Sequence, residues 1–436
     1  MGDLAIQIGM IMLIVAPTLL IIGVPISVSM GLPAVIGMFL ILKPEAVAIT
    51  SAQRVFTGIN SFSLLAIPFF VLAGVIMNNG GIAKRMITFA KAIIGFIPGS
   101  LAQANIVANM FFGAVSGSGV AAAAAIGGVM GPIEKEEGYD PAYSAAVNTA
   151  SAPCGMIIPP SNTFIVYSLA SGGASVAALF LAGYIPGILW GLVCMAIAFI
   201  YAKKLDYKPS VIKGLSAKFM AFVDAIPSIF LIFIIIGGII SGVFTPTEAS
   251  CVSVVYALVL SFLYKSIKIE DLPGILISAA KTTGMIMLMI GSSTVLSWTM
   301  SYTKIPTLLA NLFLSFTDNS IIILLLMNLV ILIMGCIMDP TPIILIFTPI
   351  FLPVALELGI NIIHFGVIMV FNTAIGTITP PVGPILFTGC RVANLRIEDI
   401  VGYLLPYFIA LIVLLLFVTF VPALTLTLPG LAGYIY

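Results

Sequence analysis

The sequence predicts an all-α polytopic membrane protein, organised as an inverted repeat with two re-entrant helical hairpins and two broken helices. The first observation is composition: 61% of the 436 residues are hydrophobic and only 8% are charged, whereas soluble domains carry about 25% charged residues. The second is length, because apolar runs of about 20 residues, enough to cross a bilayer, recur along the chain. The third is a pair of similar segments, 151–163 and 372–384, each placing a glycine and a Pro-Pro pair inside apolar sequence, 221 residues apart.

Charge and cysteine usage exclude several classes of function. The 17 basic and 16 acidic residues nearly cancel, which argues against binding to nucleic acid. The five cysteines lie within apolar segments and lack metal-binding or disulfide spacing, so we interpret them as small packing residues. His364 is the single histidine, which excludes multi-histidine metal sites and weighs against a triad enzyme.

The apolar runs place the membrane crossings in order. The first, 4–24, has no basic leader and no good cleavage site, so we expect a retained crossing rather than a removed signal peptide. Residues 203–218 form the most polar stretch and carry five lysines, which indicates a cytoplasmic loop between two duplicated halves. The other runs are 62–78, 140–170, 176–201, 220–241, 246–264, 276–300, 362–392 and 398–424, with shorter pieces near 26–42, 84–97 and 304–333.

Two further segments do not fit simple crossings. Residues 101–130 form two short arms around the small-residue turn 116–119, and each arm would rise only about 20 Å as a helix. That rise is too short for a hydrocarbon core of about 30 Å. The corresponding segment of the second half is 322–352, with its tip at 335–342. We therefore predict two re-entrant hairpins whose polar tips lie within protein at membrane depth.

The prolines at 159–160 and 380–381 predict helices that break inside the membrane. Proline has no N–H, so carbonyls one turn before it lose their helical partner and suit a small bare cation. Thr379 adds a hydroxyl, and neutral oxygens with few carboxylates favour Na⁺ over Ca²⁺. The alternative is that the prolines only kink structural helices. Further oxygens at the facing hairpin tips come from the hydroxyls of Ser116 and Ser118 and the carbonyls near Gly113 and Gly335.

A new half-helix begins after each Pro-Pro pair, and a helix N-terminus favours anions. The first half-helix opens with Ser161, Asn162 and Thr163, three polar groups for a carboxylate. Helix capping alone would also explain them. The second half-helix offers backbone but little side chain. We predict that the residues contacting substrate are Ser118, Ser161, Asn162, Thr163, Asp339 and Thr341.

Charged residues near these segments have two interpretations each. Asp339, at the second tip, is a cation ligand, a proton carrier or a hydrogen-bond acceptor, because acidic residues at membrane depth are usually functional. The alternative is a structural cap for the turn at Thr341. Arg54 and Arg391 are possible partners of a carboxylate, with interfacial snorkelling as the alternative.

Several motifs, in their order along the chain, are similar to those of a known family. They are NSFSLLAIPFFVLAG, FFGAVSGSG, GYDPAYSAAV, the two Pro-Pro segments and MDPTPIILIFTPIFLP. Over essentially the full length, the chain resembles the large membrane subunit of a tripartite ATP-independent periplasmic (TRAP) transporter. The resemblance implies a non-enzymatic, elevator-type protein of the bacterial inner membrane that couples Na⁺ to uptake of an organic acid. It also implies two partners, a small four-helix membrane subunit and a soluble periplasmic substrate-binding protein.

The resemblance further implies two Na⁺ sites, formed mostly by backbone carbonyls. One site would use Gly113, Ser116, Gly155, Ile158 and Pro159. The other would use Gly335, Gly376, Thr379 and Val382. Substrates of the family range from C4-dicarboxylates to sialic acid, and the stretch SNTFIVYS at 161–168 is closer to the sialic-acid type.

A division into a static scaffold and a mobile transport domain is also implied. The scaffold would comprise 1–82, 173–300 and 396–436, and the transport domain 83–172 (hairpin 101–130, broken helix 140–170) and 301–395 (hairpin 322–352, broken helix 362–392). Because no sequence precedes the first crossing, we expect the small subunit to be a separate polypeptide. The rival hypotheses are a stand-alone Na⁺- or H⁺-coupled carboxylate transporter and an intramembrane enzyme. The enzyme is disfavoured because Asp339 has no acidic neighbour in sequence.

Overall fold

The computed structural model describes residues 2–210, 215–308, 319–381 and 383–434. Within these ranges the regular structure is helical, without strands, and eight helices are long and apolar enough to cross a membrane. Val382 and residues 211–214 of the predicted cytoplasmic loop lie outside the described residues. The helices are α1 Gly2–Ile21, α2 Ile26–Met38, α3 Pro44–Ile59, α4 Ala66–Asn79, α5 Ile82–Ile94, α6 Ser100–Ser116, α7 Gly119–Glu136, α8 Pro141–Ser151, α9 Cys154–Ile157, α10 Asn162–Ala170, α11 Val176–Lys204, α12 Leu215–Ile240, α13 Pro246–Leu263, α14 Leu272–Tyr302, α15 Ser320–Gly335, α16 Pro340–Glu357, α17 Ile362–Gly376, α18 Pro384–Ala393, α19 Ile397–Phe420 and α20 Ala423–Leu431.

Each predicted hairpin is a pair of helices joined by a very short turn. In the first, α6 ends at Ser116 and Gly117 adopts a left-handed φ of +61°, a conformation that glycine reaches without steric cost. Ser118 then caps α7, its hydroxyl accepting from the amide of Ala121. In the second, Pro340 stands at the first position of α16, where its missing N–H costs nothing.

Both broken helices stop at their Pro-Pro pair and restart a few residues later. The first consists of α8, the single turn α9 and α10, with a cis Pro159–Pro160 bond between α9 and α10. The second consists of α17 and α18, with a cis Pro380–Pro381 bond between them. The interruptions therefore lie at equivalent positions in the two halves of the chain.

The helices form two groups that contact each other. α1 to α5 pack with α12, α13 and α14, while the two hairpins and the two broken helices pack with α11 and α19. α11 packs closely against the first broken helix, since a Cβ added at Gly183 of α11 would lie 2.4 Å from the carbonyl oxygen of Ile157 in α9. α11 and α19, which belong to the predicted scaffold segments, thus lie directly on the broken helices, and the division into static and moving parts stays a prediction.

Trp190 of α11 joins the two halves of the molecule. Its side chain is fully buried, its indole N–H donates to the carbonyl of Ala150 in α8 at 2.8 Å, and its ring meets Phe371 of α17 edge-on at 4.9 Å. A large buried aromatic side chain with a satisfied polar atom contributes strongly to packing.

Replacing Trp190 should therefore destabilise the fold, and the loss of stability should grow with the amount of side chain removed. We expect Trp190→Phe to cost about 1 kcal/mol through the lost hydrogen bond. Trp190→Ala should cost roughly 3–5 kcal/mol through the cavity it leaves. The measurement is the thermal unfolding midpoint of purified protein in detergent, with Trp298→Phe, on the half-buried second tryptophan, as the control. Midpoints of both Trp190 variants within error of the Trp298 control would contradict this role.

Candidate functional site

The first hairpin meets the first broken helix backbone to backbone. A Cβ added at Gly113 of α6 would lie 2.2 Å from the Cα of Gly155 in α9, and one added at Gly155 would lie 2.5 Å from the Cα of Gly113. Real Cβ atoms do not approach other atoms this closely, so both positions require glycine. The structure thus brings Gly113 and Gly155 together, and the other predicted residues of this site, Ser116, Ile158 and Pro159, are buried on the segments that follow them.

The second repeat contains the same contact. A Cβ added at Gly335 would lie 2.9 Å from the Cα of Gly376, and one added at Gly376 would lie 2.4 Å from the Cα of Gly335. Thr379 follows on the same turn, half-buried, while the fourth predicted residue, Val382, lies outside the described residues. Two glycine contacts, one per repeat, are therefore the central geometric feature of the molecule.

At both contacts the prolines remove the helical N–H donors of preceding backbone carbonyls. The two repeats provide these carbonyls with different replacement donors. Proline at i+4 deprives Gly155 and Met156 of their usual helical donors. The hydroxyl of Ser161 donates to the Met156 carbonyl. In the second repeat the equivalent carbonyl, that of Thr377, accepts from the amides of Ile385 at 3.1 Å and Leu386 at 3.2 Å.

The predicted hydroxyl ligands donate their protons to nearby backbone carbonyls. Ser116 Oγ donates to the carbonyl of Ser118 at 3.4 Å, and Thr379 Oγ1 donates to the carbonyl of Ile375 at 2.8 Å. A hydroxyl that donates its proton keeps its lone pairs for a cation. The carbonyl of Gly113 accepts from the amide of Gly117 at 2.8 Å, and a carbonyl oxygen has a second lone pair.

The three polar residues after the first Pro-Pro pair are not equivalent. Ser161 is fully buried, with its hydroxyl bonded to Met156 and capping the amide of Phe164, so it serves as a helix cap. Thr163 is buried as well. Asn162 differs, because its Oδ1 is buried without a hydrogen-bond partner. A Cβ added at Gly117 would lie 3.5 Å from the Asn162 amide nitrogens, so this residue also adjoins the hairpin tip.

The remaining predicted residues lie at the second tip and at the periphery. Asp339 occupies the N-cap position of α16, but its side chain is exposed and makes no capping hydrogen bond, so the capping alternative is not seen. Thr341 is half-buried on the following turn. Arg54 is exposed and stacks on Trp298 with 5.6 Å to the ring centroid, and Arg391 is exposed near the end of α18.

Buried asparagines that the sequence analysis missed tie each hairpin to its broken helix. In the first repeat, Asn109 Nδ2 lies 3.0 Å from Asn148 Oδ1 and 2.8 Å from Ser151 Oγ. In the second, Asn372 Nδ2 donates to Asn328 Oδ1 at 2.8 Å. Asn109 and Asn372 lie about one helical turn from Gly113 and Gly376, and Asn148 and Asn328 lie about two turns from Gly155 and Gly335. The signal was present, since an amide inside an apolar helix requires a buried partner.

The two repeats also interlock. α7 of the first hairpin packs on α18, and α16 of the second hairpin packs on α10, so each hairpin touches the restarted half-helix of the other repeat. A Cβ added at Gly119 would lie 2.4 Å from Ile385 Cδ1. Both glycine contacts thus belong to one continuous packed body.

Comparisons with known proteins agree with this architecture. The chain is 51% identical over 413 residues to a Salmonella typhimurium protein called "Uncharacterized protein YgiK", covering 95% of each chain. It is 36% identical to the C4-dicarboxylate TRAP transporter large permease protein DctM of Rhodobacter capsulatus, covering 95% of this chain and 97% of that protein. It is also 36% identical to the sialic acid TRAP transporter large permease protein SiaM of Vibrio cholerae, with the same coverage.

A solved structure shares the fold at low sequence identity. It is the Alcanivorax borkumensis YdaH transporter, with a TM-score of 0.57 and 13% identity over 88% of this chain and 91% of that one. Residues 11–424 match the family model described as "Tripartite ATP-independent periplasmic transporter, DctM component". The chain therefore belongs to the DctM family, the large membrane subunits of TRAP transporters, and is a multi-pass protein of the bacterial inner membrane.

Proposed function

We propose that this chain is the membrane subunit of a Na⁺-coupled secondary importer of a small organic acid. The observation that carries the proposal is the repeated contact of a hairpin glycine with a broken-helix glycine, Gly113 with Gly155 and Gly335 with Gly376. At each contact, carbonyls lie just before a proline, where helical donors are missing. Such carbonyls form Na⁺ sites in transporters built from discontinuous helices.

The oxygen chemistry of the two contacts favours a monovalent cation. The groups near them are backbone carbonyls and the hydroxyls of Ser116 and Thr379, which carry no charge. Among the described residues, no group of three or more His, Cys, Asp or Glu side chains could hold a metal ion. A divalent cation prefers several carboxylates, whereas a small number of neutral oxygens suits Na⁺.

Coupling follows from where the ions would bind. An ion at Gly113 and Gly155 would hold the first hairpin tip against the start of α10, beside the unpartnered Asn162 Oδ1 and amide groups. The α10 N-terminus would then attract the carboxylate of a substrate. Without the ion, nothing bridges the Gly155 carbonyl, which lacks its helical donor, to the hairpin tip, so the closed arrangement is less favoured. Ion binding and substrate binding therefore favour the same arrangement.

The proposed partners come from the family. A tripartite system requires a small four-helix membrane subunit and a periplasmic binding protein in addition to this chain. A stand-alone carboxylate transporter shares every contact described above and differs only in needing no binding protein. An intramembrane enzyme has no support, since family members are named as permeases.

The proposed substrate is an organic acid, with sialic acid placed before a C4-dicarboxylate. Relatives named for C4-dicarboxylates are 36–39% identical to this chain, and the relative named for sialic acid is 36% identical. The polar stretch after the first Pro-Pro pair favours sialic acid, and a C4-dicarboxylate is the second candidate. Both are organic acids whose carboxylate would meet the α10 N-terminus.

Uptake into proteoliposomes tests the proposal as a whole. The vesicles would contain this chain and its small subunit, and uptake of radiolabelled sialic acid or a C4-dicarboxylate would be followed. We expect uptake only with an inward Na⁺ gradient and added binding protein. Uptake that proceeds equally with K⁺ in place of Na⁺ would refute Na⁺ coupling. Uptake without binding protein would assign the chain to the stand-alone class.

Enlarging a contact glycine should weaken Na⁺ binding selectively. Gly155→Ala inserts a methyl group 2.5 Å from the Cα of Gly113, so the hairpin must move away from the broken helix. We expect the Na⁺ concentration for half-maximal uptake to rise roughly tenfold or more, equivalent to about 1.4 kcal/mol. Gly128→Ala is the matched control, since a Cβ there meets no atom within 4 Å. Equal Na⁺ dependence in the two variants would contradict the assignment.

Removing the two hydroxyls tests the side-chain ligands. Ser116→Ala combined with Thr379→Ala deletes one neutral oxygen from each proposed site, and each hydroxyl donates its proton to a carbonyl of its own hairpin tip or helix. We expect Na⁺ affinity to fall roughly tenfold, because contacts to a charged group are worth about 1.5–3 kcal/mol each. The thermal unfolding midpoint should change little. Na⁺ titration of purified protein measures the affinity, and an unaltered affinity would eliminate both hydroxyls as ligands.

A further inference from the structure

A cavity lies at the open end of the first hairpin, away from both glycine contacts. It has a volume of about 490 Å³ and is bounded by α6, α7, α8 and the end of α18. The exposed side chain of Lys135 also lines it, so the cavity reaches the protein surface. Its polar lining residues include Asn105, Glu134, Ser144, Asn148 and Asn394.

Glu134 is the exceptional residue of this cavity. Only 1% of its surface is exposed, although its sequence neighbours 135–137 are exposed. Its Oε1 accepts a hydrogen bond from Asn105 Nδ2 at 3.2 Å. Its Oε2 is buried without a partner, and so is the hydroxyl oxygen of Ser144. A buried carboxylate left in this condition is unstable unless it gains a cation or a proton.

The charged and titratable groups around Glu134 are few. Lys91 on α5 is half-buried and acts on Glu134 through space without a salt bridge. Tyr139 and Tyr143 lie nearby as neutral phenols, and Glu137 acts mainly on Lys91 and Tyr139. α18 contributes Val392 and Asn394 to the lining, while its Arg391 is exposed. Lys135 also lines the cavity but is exposed to solvent, so Lys91 is the cation that acts on the buried carboxylate.

Burial dominates the protonation of Glu134, which lies outside the membrane-spanning helices. Desolvation raises the pKa of Glu134 to about 7, and the hydrogen bond from Asn105, the nearby hydroxyl of Ser144 and the charge of Lys91 oppose this rise. Burial also lowers the pKa of Lys91. A metal cation would need more oxygen ligands than the two unpartnered atoms available, whereas a proton needs only one lone pair.

We propose that Glu134 is a proton-binding site, taking a proton from water at the cavity mouth onto Oε2. Protonated Oε2 becomes a donor, and the unpartnered Ser144 hydroxyl is an acceptor beside it. Tyr139 stacks on Tyr207 with 4.0 Å between ring centroids, which places the cavity beside the segment predicted to be a cytoplasmic loop. The site therefore responds to pH on that side of the membrane.

A chain of amides connects this proton site with the first glycine contact. Asn105 Oδ1 accepts from Asn109 Nδ2 at 3.0 Å, and the same Nδ2 lies 3.0 Å from Asn148 Oδ1. Since Nδ2 has two hydrogens, these acceptors and Ser151 Oγ share them. A negative charge on Glu134 strengthens the Asn105 bond and polarises the chain behind it.

Infrared difference spectroscopy tests the proton site without any transport assay. The full chain in lipid nanodiscs would be titrated from about pH 3 to about pH 9, following the C=O band of a protonated carboxyl. We expect the difference between the spectra of wild type and Glu134→Gln to contain one such band. This band should disappear as the pH rises, with a midpoint near pH 7. Glu136→Gln, on an exposed neighbour, is the matched control and should leave the band. A midpoint near the ordinary value of 4.5, or no band, would overturn the proposal.

A second variant and a second readout keep the test independent of one substitution. Lys91→Gln removes the cation that favours the carboxylate, so the midpoint should move to higher pH. The thermal midpoint of wild type should fall as pH rises through about 7, because the folded state holds a proton there that the unfolded state has released. Glu134→Gln should abolish this component. An unshifted Lys91→Gln midpoint together with identical pH–stability curves would refute the site, whatever the chain transports.

Discussion

The contact of a hairpin backbone with a broken-helix backbone is the constraint from which the rest of the architecture follows. At membrane depth, every backbone polar group needs a partner inside the protein. Prolines at 159–160 and 380–381 remove donors, so the carbonyls before them must face something other than lipid. Glycine at each contact lets a second backbone approach to van der Waals distance, and that second backbone belongs to a hairpin.

The two repeats solve the same problem with different chemistry, and the difference bears on substrate recognition. In the first, a side chain satisfies the Met156 carbonyl: the Ser161 hydroxyl. In the second, the amides of Ile385 and Leu386 turn back to the Thr377 carbonyl. Those amides are then unavailable to an anion, whereas at the N-terminus of α10 the capped amide is that of Phe164, bonded to Ser161 Oγ. Under the proposed function, an organic carboxylate would therefore meet fewer occupied amides at the first break than at the second.

Sequence reasoning found the backbone features and missed the side-chain ones, for a physical reason. Glycine and proline act on the backbone locally, so the hairpin turn at Gly117 and both helix breaks could be predicted from the neighbouring residues alone. Partners such as Asn109 with Asn148, or Trp190 with Ala150, depend on how distant helices meet. The exposure of Asp339 and the burial of Glu134 also required the packed structure, whereas capping by Ser161 was one of the two interpretations that the sequence offered.

The interlocking of the repeats has a consequence for how two ions would act together. α7 rests on α18 and α16 rests on α10, so neither hairpin can leave its broken helix without disturbing the other repeat. An ion that fixes the first contact therefore also restrains α18, which begins directly after the second Pro-Pro pair. Because packed interfaces hold discrete arrangements rather than deforming continuously, a closed first contact favours a closed second one. Binding of the second ion then requires less ordering than binding of the first, and the two sites should fill cooperatively.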